Sequence, residues 1–154
     1  MDYDARYLEA IPDEFIERDY GCGDPSRYLR KEETVLDLGS GTGKVCFIAT
    51  QVVGPKDRVI GVDMTDEILE LARRNAPLVA ENIDHANVES RKGRIQDLAL
   101  DFDLLDTELK SARLCEPEGF LEAESIADKL RKEAPMIASG NIDAVVSNCV
   151  LNLV

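Results

Sequence analysis

The sequence predicts an α/β fold built on a parallel sheet, and three observations carry that reading. Strand-like and helix-like segments alternate along the 154 residues, one short apolar run ends in Gly39-Ser40-Gly41-Thr42-Gly43, and a second closes on a carboxylate, Asp63. Such alternation favours helices layered on a parallel sheet, because parallel neighbours need a crossover between them. A chain of this length with 44% hydrophobic residues suits one domain whose core needs no disulfide or metal staple.

Each element follows from local pattern. Thr34 to Leu38 is a nearly continuous apolar run, as expected of a strand covered on both faces. After the glycines, Val45, Ile48, Ala49 and Val52 recur at helical spacing until Gly54-Pro55 ends the helix. Arg58 to Asp63 reads as the second strand. Thr65 is expected to cap the next helix, with Asp66 and Glu67 favourably placed in its first turn. Ile68, Leu71, Ala72 and Asn75 share a face of that helix, and Pro77 is expected to end or kink it. Asn87-Val88-Glu89 is a weak third strand and Ile142 to Ser147 a fourth. Between them, residues 97–140 form an insert longer than a crossover requires. It is expected to hold two helices, one carrying Phe102, Leu105, Leu109 and Ala112, the other Leu121, Ile126 and Leu130.

Charge and composition narrow the partners. Eighteen basic against 31 acidic residues give a net charge of −13, which repels nucleic acid and anionic lipid. No apolar run approaches the roughly 18 residues of a membrane span, and the acidic, polar first 30 residues do not resemble a secretory leader, so the cytoplasm is the expected location. The acidic excess of the insert reads as a wetted helix face rather than a metal site. Cys22, Cys46, Cys115 and Cys149 form no CxxC pair, so any shared task depends on the fold gathering them. Cys46 reads as core packing, Cys115 as a residue of the insert with no ligand role, and His85 as solvated.

The glycine stretch is the first feature with chemistry in it. A strand feeding a GxGxG turn and then a helix lets backbone approach a ligand closely and aims helix N-terminal amides at it. Asp63, at the end of the second strand, stands where a carboxylate accepts both hydroxyls of a ribose. Together they point to an adenosine-type cofactor. The GxGxG spacing, with Asp37 inside the strand before it, suits a methionine tail better than a pyrophosphate.

Asp37-Leu38-Gly39-Ser40-Gly41-Thr42-Gly43 and Val62-Asp63-Met64-Thr65 resemble the cofactor motifs of class I S-adenosylmethionine-dependent methyltransferases. More narrowly, Tyr20-Gly21-Cys22-Gly23, Val35 to Gly43, Gly61 to Thr65 and Ser147-Asn148-Cys149-Val150-Leu151-Asn152-Leu153 resemble the arsenite methyltransferases. The resemblance runs from about Tyr7 to Val154, interrupted by the insert. It implies a Rossmann-like sheet ordered 3-2-1-4-5-7-6 in the whole family, of which strands 1 to 4 are visible. The chain therefore reads as a single S-adenosylmethionine-binding domain, residues 1–154, truncated at its C-terminus, with residues 1–30 as a substrate-side segment. The fourth strand is left as an apolar edge able to self-associate.

By the same resemblance, Gly39, Ser40, Gly41 and Gly43 line the methionine and ribose, Asp37 receives the amino end, and Asp63 holds the ribose with Met64 against the adenine. Gly93-Arg94-Ile95-Gln96 flanks the ring's other side, Ile95 foremost, and Asn148 joins the cofactor set. Cys22 and Cys149 match two of the three cysteines that hold trivalent arsenic, a soft ion suited to sulfur. The reaction implied is methyl transfer to thiolate-bound arsenic, with arsenite or its thiol conjugates as substrate. The glycines beside Cys22 leave its sulfur uncrowded. A disulfide between Cys22 and Cys149 is a further state that convergence would permit. Lys44-Val45 stands where the family carries Arg-Asp, and the family's third arsenic-binding cysteine lies beyond the SNCV motif. The alternatives are a class I methyltransferase acting on an organic molecule, and a non-catalytic half-domain that pairs with another chain.

Overall fold

A computed structural model of the chain describes residues 3–12, 23–112 and 118–150. Four parallel strands, β1 (Val35–Leu38), β2 (Val59–Asp63), β3 (Val88–Lys92) and β4 (Ala144–Ser147), form one sheet in the order β3-β2-β1-β4. The helices are α1 (Ala5–Leu8), α2 (Lys44–Val53), α3 (Asp66–Ile83), α4 (Phe102–Ser111) and α5 (Glu118–Glu133), with a 3₁₀ turn at Pro25–Tyr28. This is the Rossmann-like architecture of class I methyltransferases, with the strand order expected for its first four strands.

Strand alternation sorts the core into two faces. Val35, Val59 and Val146 pack with Val45, Cys46, Ala49 and Val53 of α2. Leu36, Ile60 and Val62 face the other way, under Leu98, Met136, Ile137 and Ile142. Asp37 and Gly61 alternate with Leu36 and Ile60 and so share the α2 side. A third cluster joins Tyr3 and Ile11 to Phe47, Ile48 and Val79, docking the N-terminal segment onto α2 and α3.

Several boundaries differ from expectation. Helix α3 continues through Pro77. Pro77 and Arg73, whose carbonyl loses its helical donor, are both exposed, on the side of the helix that solvent reaches, while buried Leu69, Ala72 and Val79 hold the helix on either side. Thr65 occupies the N-cap position, yet its side chain makes no capping bond; its own N–H donates to Asp63 Oδ1 at 3.0 Å, which fixes the turn into the helix. β3 reaches Lys92 although its sequence is polar, because it is a sheet edge where charge is tolerated and discourages further pairing. Its Arg91–Glu89 and Lys92–Asp66 pairs are both 2.6 Å. Ile142 is core rather than strand.

The two helices between β3 and β4 form an excursion that closes on itself. Met136 N donates to Ala99 O and Ile137 N to Leu98 O, both at 3.0 Å, so the chain returns beside its point of departure. His85 is half-buried, contrary to the solvated reading: its Nε2 lies 3.1 Å from Thr50 Oγ1 and its Nδ1 2.9 Å from Ile83 O, tying the loop after α3 to α2. Among the described residues, no helix is long and apolar enough to cross a membrane.

Candidate functional site

All four strands run the same way, so their carboxyl ends meet along one margin, the side on which open α/β sheets bind ligands. Every expected site residue within the described ranges falls on this margin.

After Leu38 the chain turns sharply, and the Gly39 and Ser40 N–H groups donate to Val62 O at 2.8 and 3.0 Å. Gly39, Gly41 and Gly43 have φ of 71°, 55° and 89°, a left-handed region that disfavours side chains. Their surroundings differ. A Cβ on Gly39 would lie 2.5 Å from Val150, so this glycine lets the turn after β4 close onto the loop. A Cβ on Gly41 would meet nothing within 4 Å, which puts open space over the loop's crest. The loop then enters α2.

Asp63 braces the loop from β2: its Oδ2 accepts the Gly41 N–H at 3.0 Å. Met64 follows, 58% exposed on the margin. Gly93 N donates to Asp63 O at 2.9 Å, which brings the segment after β3 beside Met64, with Ile95 half-buried two residues on. Arg94 stacks over Phe102 at 5.7 Å.

Asp37 is the buried charge of the site, 2% exposed. Its Oδ2 accepts the Cys46 thiol at 3.4 Å, and among the described residues Oδ1 accepts no hydrogen bond. Burial pushes its pKa up to about 7; the Cys46 hydrogen bond opposes this and the charge of Asp63 adds to it. A buried carboxylate with an orphaned oxygen, beside a glycine crest over open space, suits a ligand carrying a cationic amino group. Those features fit the amino-acid end of S-adenosylmethionine.

At the end of β4, Ser147 Oγ donates to Leu38 O at 3.0 Å and locks the turn to β1. Asn148 Nδ2 donates to Tyr3 Oη at 3.1 Å and to Gly23 O at 3.2 Å. Cys149 takes a left-handed φ of 58° and is half of a disulfide. Cys22 and Cys115 lie outside the described residues. Gly23, the neighbour of Cys22, is therefore bonded to the neighbour of Cys149. Cys46 is buried as expected. Among the described residues, no group of three or more His, Cys, Asp or Glu is arranged to hold a metal ion.

Sequence reasoning missed two features. Lys44 is buried with its Nζ 4.5 Å from the Tyr3 ring centre, so the N-terminal segment covers the start of α2. The Cys46–Asp37 contact was also unforeseen, although a glycine at mid-strand, Gly61, signals it. Among the described residues, a groove of about 520 Å³ borders Val79, His85 and Asn87 at the amino end of β3. It lacks the convergent strand ends, glycines and carboxylates of the margin, which remains the better candidate.

A methyltransferase domain model matches residues 29–154, and the chain belongs to that family. The particular likeness is to arsenite methyltransferases. The chain is 36% identical over 146 residues to that of Aquipseudomonas alcaligenes, covering 95% of this chain and 32% of the relative. It is 36% identical over 155 residues to that of Halobacterium salinarum, covering 99% and 29%. The rat enzyme is 30% identical, with 99% and 33% covered. The chain thus spans about a third of the length of the curated relatives it matches. The crystal structure of an arsenic(III) S-adenosylmethionine methyltransferase from Chlamydomonas reinhardtii superposes with a TM-score of 0.65 at 28% identity, covering 97% of this chain and 40% of that one.

Proposed function

We propose that this chain binds S-adenosylmethionine at the glycine loop and serves methyl transfer to trivalent arsenic held by Cys22 and Cys149. The observation that carries the reading is the Asn148–Gly23 hydrogen bond, which joins the immediate neighbours of the two cysteines next to the glycine crest. Its likeness to arsenite methyltransferases supports the same substrate.

S-adenosylmethionine, when bound, supplies a methyl group on a positively charged sulfur. Gly39, Ser40, Gly41 and Gly43 give it close backbone contact, Asp37 receives its amino end, and Asp63 accepts from the ribose hydroxyls. Met64 and Ile95 border the adenine, and Asn148 closes the wall beside the methionine. The two thiolates hold the substrate, since trivalent arsenic prefers sulfur to oxygen or nitrogen. No general base is required, because a departing thioether takes no proton; the chain's contribution is orientation. Cys149 must leave its disulfide before it ligates anything, so a reductant is part of the reaction mixture.

Calorimetric titration of the phosphine-reduced chain tests the reading. Both S-adenosylmethionine and arsenite are expected to bind. Cys149→Ser or Cys22→Ser should abolish arsenite binding and leave cofactor affinity within about twofold, while Asp63→Ala should weaken the cofactor by about tenfold or more, the scale of a lost charge-assisted contact. Arsenite binding that survives both serine variants would overturn the assignment to Cys22 and Cys149, and a reduced wild type that binds S-adenosylmethionine but no arsenite would leave an organic acceptor as the substrate.

A further inference from the structure

Gly61 sits in the middle of the central strand β2, where a glycine weakens a sheet unless something approaches closely. Its φ is outside the left-handed region, so conformation does not require it. Space does: a Cβ there would lie 2.8 Å from Cys46 Sγ and 2.7 Å from the Ser40 side chain. Gly61 is also the register partner of Asp37. The glycine thus reserves the seat that brings the Cys46 sulfur to 3.4 Å from Asp37 Oδ2.

Cys46 is 1% exposed, and burial pushes its thiol pKa well above the ordinary value, so it stays protonated and donates. Asp37 then has one oxygen tied and one without a hydrogen bond among the described residues. We propose that Cys46 is a positioning residue for the methyl donor: its S–H fixes one oxygen of Asp37 and so presents the other to the donor's cationic amino group. This rests on the cofactor reading above. The titratable groups facing Asp37 are Cys46 from α2 and Asp63 from the end of β2; its register partners Gly61 and Val146 carry no charge.

The test compares Cys46→Ala, which removes the donor, with Cys46→Ser, which keeps one. Asp37 is followed in the ligand-free reduced chain by carboxyl-carbon NMR, and S-adenosylmethionine affinity is measured across pH. In Cys46→Ala, Asp37 should titrate at higher pH than in the wild type. Affinity at pH 7 should fall about three- to tenfold, the worth of one hydrogen bond, with the deficit shrinking at higher pH as the carboxylate is recovered. Cys46→Ser should restore both. A purely structural thiol would lower the thermal midpoint and leave the Asp37 titration and the pH profile unmoved. An unchanged Asp37 titration in Cys46→Ala, or a serine variant that behaves like alanine, overturns the proposal. Should Cys46→Ala fail to fold, the infrared S–H band that Cys46→Ser removes is read in the wild type: it should shift as Asp37 titrates, and a band indifferent to pH overturns the idea. Loss of the Cys46 effect with cofactor binding intact sinks this proposal alone. A wild type that binds no S-adenosylmethionine sinks the cofactor reading and this proposal together.

Discussion

A carboxylate buried at mid-sheet costs stability until something receives its charge, and Asp37 allows the cost to be followed with pH. Its folded pKa is about 7, against an ordinary value of 3.8. Between these limits the folded chain keeps a proton that the unfolded chain releases, so stability falls as pH rises through the window. The penalty is absent below the unfolded value and complete above about 7, with a ceiling of about 4 kcal/mol. Asp37→Asn keeps the shape without the charge. Its stability gain over wild type should be near zero at about pH 4, grow through neutrality and level off above pH 7. Thermal midpoints of both proteins across that range check this, and an asparagine variant no more stable at pH 8 would show that the carboxylate already has a compensating partner. The cofactor should show the opposite slope, because its amino group favours the ionised carboxylate and affinity then rises with pH. The placement of Asp37, Asp63 and the glycines around one strand-turn-helix unit was legible from spacing, since strand, turn and helix follow one another in sequence. The Asn148–Gly23 and Lys44–Tyr3 contacts were not, because they join segments that only the folded core brings together.

At the scale of elements, sequence pattern found the four described strands, and the two helices between β3 and β4, and erred at ends and punctuation. Pro77 looked like a terminator because propensity counts the lost hydrogen bond and ignores the buried face that carries α3 onward. Thr65 takes the N-cap position as expected, but residue type does not reveal that its side chain makes no capping bond to the first turn of α3. The α4–α5 excursion was expected as an insert, and its closure at Ala99 and Met136 makes a sharper expectation. Its helices reach the remainder partly through ion pairs that solvent reaches, the exposed Arg73–Asp103 at 2.6 Å and the half-buried Arg131–Asp97 at 2.9 Å among them. Exposed pairs of this kind contribute about 0–1 kcal/mol each. Replacing residues 101–134 with a three-residue glycine-rich turn should therefore leave a folded sheet, a thermal midpoint within about 5 °C of the parent and unchanged S-adenosylmethionine affinity. Unfolding on excision would mean that the helices are part of the core; a folded variant with weakened cofactor binding would give them a place at the site.

For the molecule as a whole, two opposing terms act at β4. Among the described residues the strand hydrogen-bonds to β1 on one side only and lies at the sheet's edge, and Val145 on it is 59% exposed. An apolar edge with unpaired backbone groups favours strand-to-strand contact with a second copy. Against this, each chain carries a net charge of −13, and two such bodies repel at close range. The repulsion is screened over about 10 Å at 0.1 M salt and about 3 Å at 1 M, whereas apolar contact and backbone pairing are not weakened by screening. Association should therefore be slight in dilute buffer and grow with both protein concentration and sodium chloride, as read by sedimentation velocity. Val145→Lys removes the apolar contact and adds an exposed charge at the edge, a device natural sheets use against pairing. It should keep the chain monomeric at high salt even though it makes the net charge less negative. That detail separates the terms: if charge alone set the state, the lysine variant would associate more than wild type, and if ionic contacts held the pair together, salt would dissolve it.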